Sequence, residues 1–177
     1  MTKRFNKRFY NNFLSYLPES GKKIKIFRKK IYIYKNIRYY WAKKFLKSVG
    51  KNVNFQSRTK LNYDVSIGNN SGVGKNCDIP GGVTIGNNVM MGEEVLIFTS
   101  NHITTNTEIP MNLQGMTKKK KVIICDDVWI GTRVTILPGV TVGKGSILGT
   151  GTVVTKDVPE YSVVVGNPGR VVKNRKE

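Results

Sequence analysis

His102 is the only histidine among the 177 residues, and its side chain is suited to proton transfer near neutral pH. A neutral imidazole can take a proton from a hydroxyl group and later return one to a leaving group. One histidine cannot supply the ligand cluster of a histidine-based zinc site, so we expect no metal. A lone histidine is more often structural or simply exposed than catalytic. The position of His102 in the chain therefore has to indicate whether it is catalytic.

Large or branched apolar residues recur every six residues from position 49 onward, a period typical of a parallel β-helix. The register breaks after Ile97 and resumes at Ile124, so a loop at about 98–121 must interrupt the repeat, and His102 stands at the start of that loop. With three hexads to a coil, the nine hexads before the loop and six after it predict an all-β fold of about five coils. The anchor residues are Val49, Phe55, Leu61, Ile67, Val73, Ile79, Ile85, Met91, Ile97, Ile124, Ile130, Ile136, Val142, Leu148 and Val154.

The two cysteines fit this repeat better than they fit a chemical role. Cys77 stands four residues after an anchor, in a slot for small inward side chains, so we expect it to pack in the interior. Cys125 follows an anchor and is expected to point outward, without a neighbouring histidine to activate it. Two cysteines are too few for a disulfide framework, which favours a reduced, cytoplasmic protein.

Residues 128–172 resemble the C-terminal half of the hexapeptide-repeat acyltransferases, in the sequence VWIGTRVTILPGVTVGKGSILGTGTVVTKDVPEYSVVVGNPGRVV. FTSNH at 98–102 resembles the start of their active-site loop. The likeness covers about 49–172 and is strongest to maltose/galactoside acetyltransferase-like proteins and to sugar O-acetyltransferases of capsule and exopolysaccharide clusters. It implies a left-handed β-helix, a homotrimer, and acetyl-CoA bound in the cleft between adjacent prisms.

The resemblance also implies two catalytic groups. His102, in the family's NH motif, would take the proton of the acceptor hydroxyl and return one to the departing thiolate. The backbone N–H of Thr132, in WIGT, would stabilise the oxyanion of the tetrahedral intermediate. Glu93 and Glu94 are candidates for orienting the imidazole.

Cofactor-binding residues are implied by the same likeness. Trp129 would line the pantetheine arm or stack on a sugar, although a corner-packing role stays open. Small residues of the GTGT sequence would let the arm approach the strand edge, and cations of the last coil and tail would contact the nucleotide phosphates, although a solvated charge stays open for each. The candidates are Trp129, Gly149, Thr150, Gly151, Thr155, Lys156, Arg170 and Lys173.

The acceptor site departs from the family pattern. Gly72 stands where the maltose/galactoside enzymes carry an acceptor-binding Asn, and Asn70 stands where they carry an aromatic residue, so plain galactoside or maltose is disfavoured. Asn70, Ser71 and Asn101 are the substrate-binding candidates. Four lysines at 118–121 are either a solvated loop edge or an attraction for an anionic acceptor.

Most of the formal net charge of +19 lies in the first 48 residues, which hold 15 of the 30 basic residues, one acid and 12 of the 17 aromatics. A stripe of Phe5, Phe9, Phe13 and Leu17 predicts one amphipathic helix. A second helix is predicted at 22–47, although 25–34 also alternates like a strand. Such a segment is expected to cap the β-helix or to contact a membrane, whereas no motif supports nucleic-acid binding.

The sequence thus predicts a basic helical segment at 1–48, a β-helix at 49–160 and a capping tail at 161–177. The leading functional hypothesis is transfer of an acetyl group from acetyl-CoA to a saccharide hydroxyl, in surface polysaccharide biosynthesis. Alternatives are an N-acetyltransferase of an amino sugar or antibiotic, and a non-catalytic membrane or nucleic-acid binding protein. We expect it in the cytoplasm, with the inner face of the membrane as an alternative location.

Overall fold

The computed structural model of this protein describes residues 2–26 and 29–177, and the side chains of these residues apart from 24–31. The chain begins with two helices that flank a two-stranded antiparallel hairpin, and the rest is a stack of short strands. The first elements are α1 (Lys3–Asn12), β1 (Ile24–Ile26), β2 (Lys29–Ile31) and α2 (Ile33–Phe45). Single-turn 3₁₀ helices lie at Leu14–Tyr16 and Met111–Leu113.

Parallel strands stack into the three faces of a prism, which confirms the predicted β-helix. The first face contains β3 (Ser48–Val49), β6 (Val65–Ile67), β9 (Val83–Ile85), β12 (Val122–Ile124) and β15 (Thr141–Val142). The second contains β4 (Asn54–Phe55), β7 (Gly72–Val73), β10 (Met90–Met91), β13 (Trp129–Ile130), β16 (Ile147–Leu148) and β18 (Ser162–Val165). The third contains β5 (Lys60–Leu61), β8 (Asp78–Ile79), β11 (Leu96–Ile97), β14 (Thr135–Ile136) and β17 (Val153–Val154).

The stack is slightly taller than the five coils counted from the hexads. After β17, Val158 bridges to Val142 on the first face, and β18 pairs in parallel with β16 on the second. A partial sixth coil therefore begins above the five complete ones. The chain then turns back as β19 (Arg170–Asn174), antiparallel to β18, so the end of the chain covers that edge.

The hexad anchors form the core. All fifteen are buried except Val49, which is half-buried where α2 packs on the first coil. Cys77 lies in the interior slot predicted for it, and burial raises the pKa of its thiol to about 11. Cys125 is partly exposed and free, so neither cysteine is placed as an activated thiolate.

The N-terminal segment closes the open end of the first coil, but with a different helix face from the one expected. Tyr10 of α1 and Phe45 of α2 are fully buried above Phe55, with ring centroids 5.5 Å apart for Tyr10 and Phe45. Phe5 and Phe13 of the predicted stripe are exposed. At 22–47 the strand interpretation is correct for β1 and β2, and the helix begins only at Ile33; Phe27 and Arg28 lie outside the described residues.

Arg38 joins the cap to the prism from a fully buried position. Its Nε donates to the carbonyl of Phe55 at 2.8 Å, which ties α2 to the first coil. The other guanidinium nitrogens donate to the carbonyls of Leu17 and Pro18, both at 3.0 Å. A further bond at 2.7 Å reaches the hydroxyl of Ser20, so one side chain holds α2, the segment after α1 and the solenoid together.

No helix in the part of the chain that the structure describes combines the length and the apolar character needed to cross a bilayer.

Candidate active site

An extended arm at 98–121 leaves the prism at the third corner, between the third and first faces, as the break in the hexads predicted. The hydroxyl of Thr99, which is buried, donates to the carbonyl of Gly81 at 3.1 Å and anchors the arm to the coil beneath. The arm then doubles back, with the N–H of Thr117 donating to the carbonyl of Asn101 at 2.7 Å. Its root is therefore fixed by the protein's own hydrogen bonds.

His102 sits in this paired part of the arm, opposite Met116 in an antiparallel bridge, with its side chain exposed. Bonds on either side of that bridge hold its backbone, whereas no hydrogen bond reaches its ring from any described residue. Glu94, one of the two carboxylates considered for orienting the ring, is instead paired with Arg133 at 2.7 Å. The imidazole is thus presented to the surface by a braced backbone.

Thr132 lies at the second corner, between the second and third faces. Its carbonyl accepts from the N–H of Gly151 at 2.9 Å, while its own N–H has no acceptor among the described residues. A free backbone N–H at a rigid corner is the kind of donor that stabilises an oxyanion.

The small residues expected along the pantetheine arm lie directly above Thr132, on the next coil. Gly151 adopts a positive φ of 73°, and a Cβ there would meet no atom within 4 Å, so the space beside it is open. Thr150 is exposed at the same corner. Gly149 has a packing reason, since a Cβ would lie 2.8 Å from Cγ1 of Val165. The corner therefore has room for a long thin ligand.

The cationic candidates lie at the C-terminal end of the stack. Lys156, Arg170 and Lys173 are exposed, as is Thr155. The N–H of Gly169 donates to the carbonyl of Val153 at 2.8 Å, which brings the start of β19 against the strand that precedes Thr155. Exposed cations around this end suit the phosphates of a nucleotide.

Trp129 is about half exposed, on the outer surface of the second face, rather than packed in a corner. It pairs in register with Met90 on the coil below and Ile147 on the coil above. Met90 is 62% exposed, so the two side chains form an apolar spot on the surface. Sequence reasoning missed Met90, although an apolar residue at an outward hexad position was a usable signal.

The acceptor candidates do not lie in one place. Asn101 is exposed on the arm beside His102. Asn70 is at the first corner, where its amide donates to Asn88 at 3.3 Å in a ladder of asparagines. Ser71 is buried and its hydroxyl donates to the carbonyl of Gly86 at 2.7 Å. The structure thus gives the side chain of Ser71 a packing role, while Asn70 and Ser71 both border the groove on the second face.

A groove of about 340 Å³ runs along the lower half of the second face, between the first corner and Met90. Asn54 lines it, in register with Gly72 on the next coil. The Oδ1 of Asn54 is buried and has no hydrogen-bond partner within the described ranges. Asn54 went unnoticed in the sequence because it stands one coil below the position at which the related enzymes carry their Asn.

His102 and Thr132 occupy different corners of one prism, with the third face between them. The strands Leu96–Ile97 and Thr135–Ile136 of that face lie side by side, one leading into the arm and the other leaving the corner of Thr132. No hydrogen bond between described residues joins the arm to that corner.

Comparison with known proteins decides the family. A model for bacterial transferase hexapeptide (six repeats) matches residues 121–156, and a model for the hexapeptide repeat of succinyl-transferase matches 64–92. A maltose O-acetyltransferase structure from Clostridium difficile 630 is 30% identical, covers 99% of this chain and 85% of that one, and superposes with a TM-score of 0.72. The chain belongs to the hexapeptide-repeat acetyltransferases.

Two further matches describe the extent of the similarity. A putative acetyltransferase of Staphylococcus aureus strain COL is 39% identical over 121 residues, which cover 65% of this hexapeptide-repeat chain and 57% of that protein. The chain therefore spans little more than half the length of the curated relatives it matches first. A hexapeptide-repeat acetyltransferase from Vibrio cholerae, solved with acetyl coenzyme A, shares the fold at 22% identity, covers 99% of this chain and 86% of that one, and has a TM-score of 0.75.

Proposed function

We propose that this protein transfers an acetyl group from acetyl-CoA to a hydroxyl of a saccharide. The observation that carries the proposal is the position of His102, the sole imidazole, which a braced arm presents to the surface in a hexapeptide-repeat fold. Relatives of that fold are named as maltose O-acetyltransferase and as acetyltransferase with bound acetyl coenzyme A. A place in surface polysaccharide biosynthesis belongs to the same proposal and rests on the sequence resemblance.

The reaction requires one general base and one fixed hydrogen-bond donor. His102 removes the proton of the acceptor hydroxyl as its oxygen attacks the thioester carbonyl carbon. The N–H of Thr132 stabilises the negative charge that forms on the carbonyl oxygen. When the carbon–sulfur bond breaks, His102 gives the proton to the leaving sulfur, so the products are the acetyl ester and the free thiol of coenzyme A.

The chain's own residues fit that donor. The open space beside Gly151 and the exposed Thr150 admit the pantetheine arm, and Lys156, Arg170 and Lys173 supply cations for the phosphates. Trp129 and Met90 offer an apolar surface, and the groove that Met90 shares with Asn54 and Asn70 offers polar side chains for a sugar.

A homotrimer is part of the proposal, because His102 and Thr132 lie at different corners of one prism. An adjacent copy would bring the arm of one chain to the second corner of the other. Exposed apolar residues on the arm support this, since Met111 and Leu113 are 61% and 71% exposed in the single chain.

The test is thiol release from acetyl-CoA with a panel of saccharides, followed by mass spectrometry of the product. We expect His102→Ala to lower the rate by about 100-fold or more, the usual contribution of a general base. Its melting temperature should stay unchanged because the side chain is exposed. Asn112→Ala, at the exposed tip of the same arm, is the matched control and should keep full activity.

Two results would contradict the proposal. Undiminished turnover by His102→Ala would remove the proposed base. Acetylation of amino sugars alone, with no ester product from any hydroxyl acceptor, would replace O-acetyl transfer by the N-acetyltransferase alternative.

A further inference from the structure

The outer surface of the N-terminal cap carries aromatic rings that stay exposed among the residues the structure describes. Phe9 stacks between Phe5 and Phe13, with centroid distances of 6.1 and 5.5 Å, and lies 5.0 Å from the ring of Trp41. Phe5 and Phe13 are 47% and 64% exposed, and Tyr40 of α2, whose ring centroid lies 6.2 Å from that of Trp41, is 57% exposed. The two helices thus join their aromatic residues into one outward-facing strip.

The same two helices expose several cations. Lys3, Arg4 and Arg8 are exposed on α1, and Lys43 and Lys44 are exposed on α2. The ammonium of Lys44 lies 4.6 Å from the ring centroid of Tyr40. We call the surface formed by Phe5, Phe13, Tyr40 and these five cations the cap patch.

No ion pair among the described residues involves a cation of the cap patch. The first 48 residues contain a single acid, Glu19, and its carboxylate pairs with Lys75 of the solenoid at 3.1 Å. The binding partner of such a surface must be anionic. A second copy presenting the same face would bring like charges together, which disfavours a symmetric dimer through the patch.

Phenylalanine rings among lysines and arginines have the chemistry of a helix that lies in a membrane interface. The apolar rings enter the boundary between headgroups and acyl chains, while the cations meet anionic headgroups. Such rings can also stack on the bases of a single strand, but no nucleic-acid binding motif accompanies them in the sequence, so we choose lipid as the partner. This reasoning is independent of the proposed acetyl transfer.

We propose that the cap patch docks the protein on an anionic lipid bilayer, with α1 and α2 lying along the surface. The test is co-sedimentation of the full chain with vesicles of phosphatidylcholine containing about 30% phosphatidylglycerol, an anionic lipid. We expect binding to these vesicles, release at about 0.5 M NaCl, and no binding to phosphatidylcholine alone.

Variants separate the two contributions. Replacing Lys3, Arg4 and Arg8 by Gln should weaken binding about 100-fold, since each cation at an anionic surface is worth about fivefold. The double variant Phe5→Gln, Phe13→Gln should weaken it at least about tenfold, because both rings lose their apolar contact. Circular dichroism should show the helices intact, as these side chains are exposed in the cap.

Matched controls make the same changes elsewhere. Lys51, Lys60 and Lys144 are exposed on the solenoid, and their replacement by Gln removes the same charge. Val171→Gln with Val172→Gln removes two exposed apolar side chains from the C-terminal strand β19. Both controls should bind the vesicles as the unchanged protein does.

Several outcomes would overturn the proposal. One is equal binding to uncharged vesicles. Another is a loss of vesicle binding in the variant lacking the cap patch cations that is no larger than the loss in the variant lacking the three solenoid lysines. A third is loss of an oligomer without vesicles in the phenylalanine variant, since the patch would then be an interface between copies. Binding of single-stranded nucleic acid through these residues, with no vesicle binding, would assign the patch to that partner.

Discussion

The first and second corners of the prism have the same backbone conformation. They differ in whether a side chain of the next coil accepts a hydrogen bond from the backbone N–H at the corner. Each corner places a residue at a positive φ of 55–58° in successive coils, such as Asn88 at the first corner and Arg133 at the second. At the first corner of three successive coils, the residue before the positive-φ residue is Asn69, Asn87 or Asp126. The side-chain oxygen of each accepts a hydrogen bond from the backbone N–H in the same position one coil below. At the second corner, Thr132 and Thr150 occupy the equivalent positions. Their side chains do not accept from the backbone N–H one coil below, so those N–H groups have no acceptor among the described residues.

The difference shows that the fold itself does not require these N–H groups to be capped. An Asn or Asp in the next coil closes the donor and stabilises the stack, whereas a Thr leaves it facing solvent. The open donors lie beside Gly151, where the surface has room for a ligand. The ladder of the first corner therefore contributes to stability, whereas the second corner retains free hydrogen-bonding capacity, which the proposed reaction would use at Thr132.

Adding a side-chain acceptor for the Thr132 N–H at the second corner should have the largest effect, and it should act on kcat. Thr150 stands where Asn87 stands in the first-corner ladder, one coil above the N–H to be capped. Thr150→Asn should place an amide oxygen on the N–H of Thr132 and lower kcat for acetyl transfer about 100-fold, the scale of one lost oxyanion donor. The melting temperature should rise or stay the same, because a hydrogen bond has been added.

Thr150→Val is the control, since it keeps the side-chain shape without an oxygen acceptor. It should retain most of the kcat, although a change in KM for acetyl-CoA would report contact with the pantetheine arm. If both variants lose kcat equally, the loss belongs to the missing threonine and the proposed role of the Thr132 N–H fails.

The repeat was readable from sequence because its signal is dense. Anchors such as Ile79 and Ile130 stand at fixed six-residue spacing, and a solenoid is the fold that buries them all. The corner difference was not readable in the same way, since Asn69 and Thr132 are both ordinary turn residues. Only the register of neighbouring coils shows which N–H each side chain reaches.

The cap shows a second limit of sequence reasoning. Phe5 and Phe9 share a stripe of α1 that Phe13 continues just after the helix, and periodicity identified that stripe correctly. It does not reveal what the stripe faces, and here Tyr10 fills the space above Phe55 instead. The proposed catalytic pair meets the same limit, because His102 and Thr132 lie at separate corners of one prism and the proposal needs a neighbouring copy to bring them together.

Opening the first corner should cost stability and leave activity intact. The side-chain oxygen of Asn87 accepts from the N–H of Asn69 at 2.8 Å, and its amide donates to Asp126 at 3.2 Å. Asn87→Ala should lower the free energy of unfolding by about 1–2 kcal/mol, since a net hydrogen bond is worth about 1 kcal/mol. Urea unfolding measures the change.

Glu93 occupies at the second corner the position that Asn87 occupies at the first, so Glu93→Ala is the matched control. No hydrogen bond involves the Glu93 side chain within the described residues, so its effect should stay below about 0.5 kcal/mol. Equal losses in the two variants would show that the ladder of the first corner adds nothing to the stability of the stack.

The smallest effect should be a pH dependence confined to the first corner. Hydrogen bonds from the backbone and side chain of Asn87 hold the pKa of Asp126 below its ordinary value. The unfolded chain therefore takes up this proton at a higher pH than the folded protein. The stabilisation is complete above the ordinary carboxyl range and is lost as the pH falls through the lowered pKa of the folded state.

Asp126→Asn keeps an oxygen acceptor but cannot titrate. The advantage of the unchanged protein over this variant should be about 1–2 °C in Tm at pH 7 and should vanish near pH 3. At the second corner Thr132 takes the place of Asp126, so Thr132→Val should give a difference from the unchanged protein that does not vary with pH. A Tm advantage of Asp126 that persisted at low pH would show that the carboxylate charge does not contribute to capping Asn87, and the first corner would then depend on shape alone.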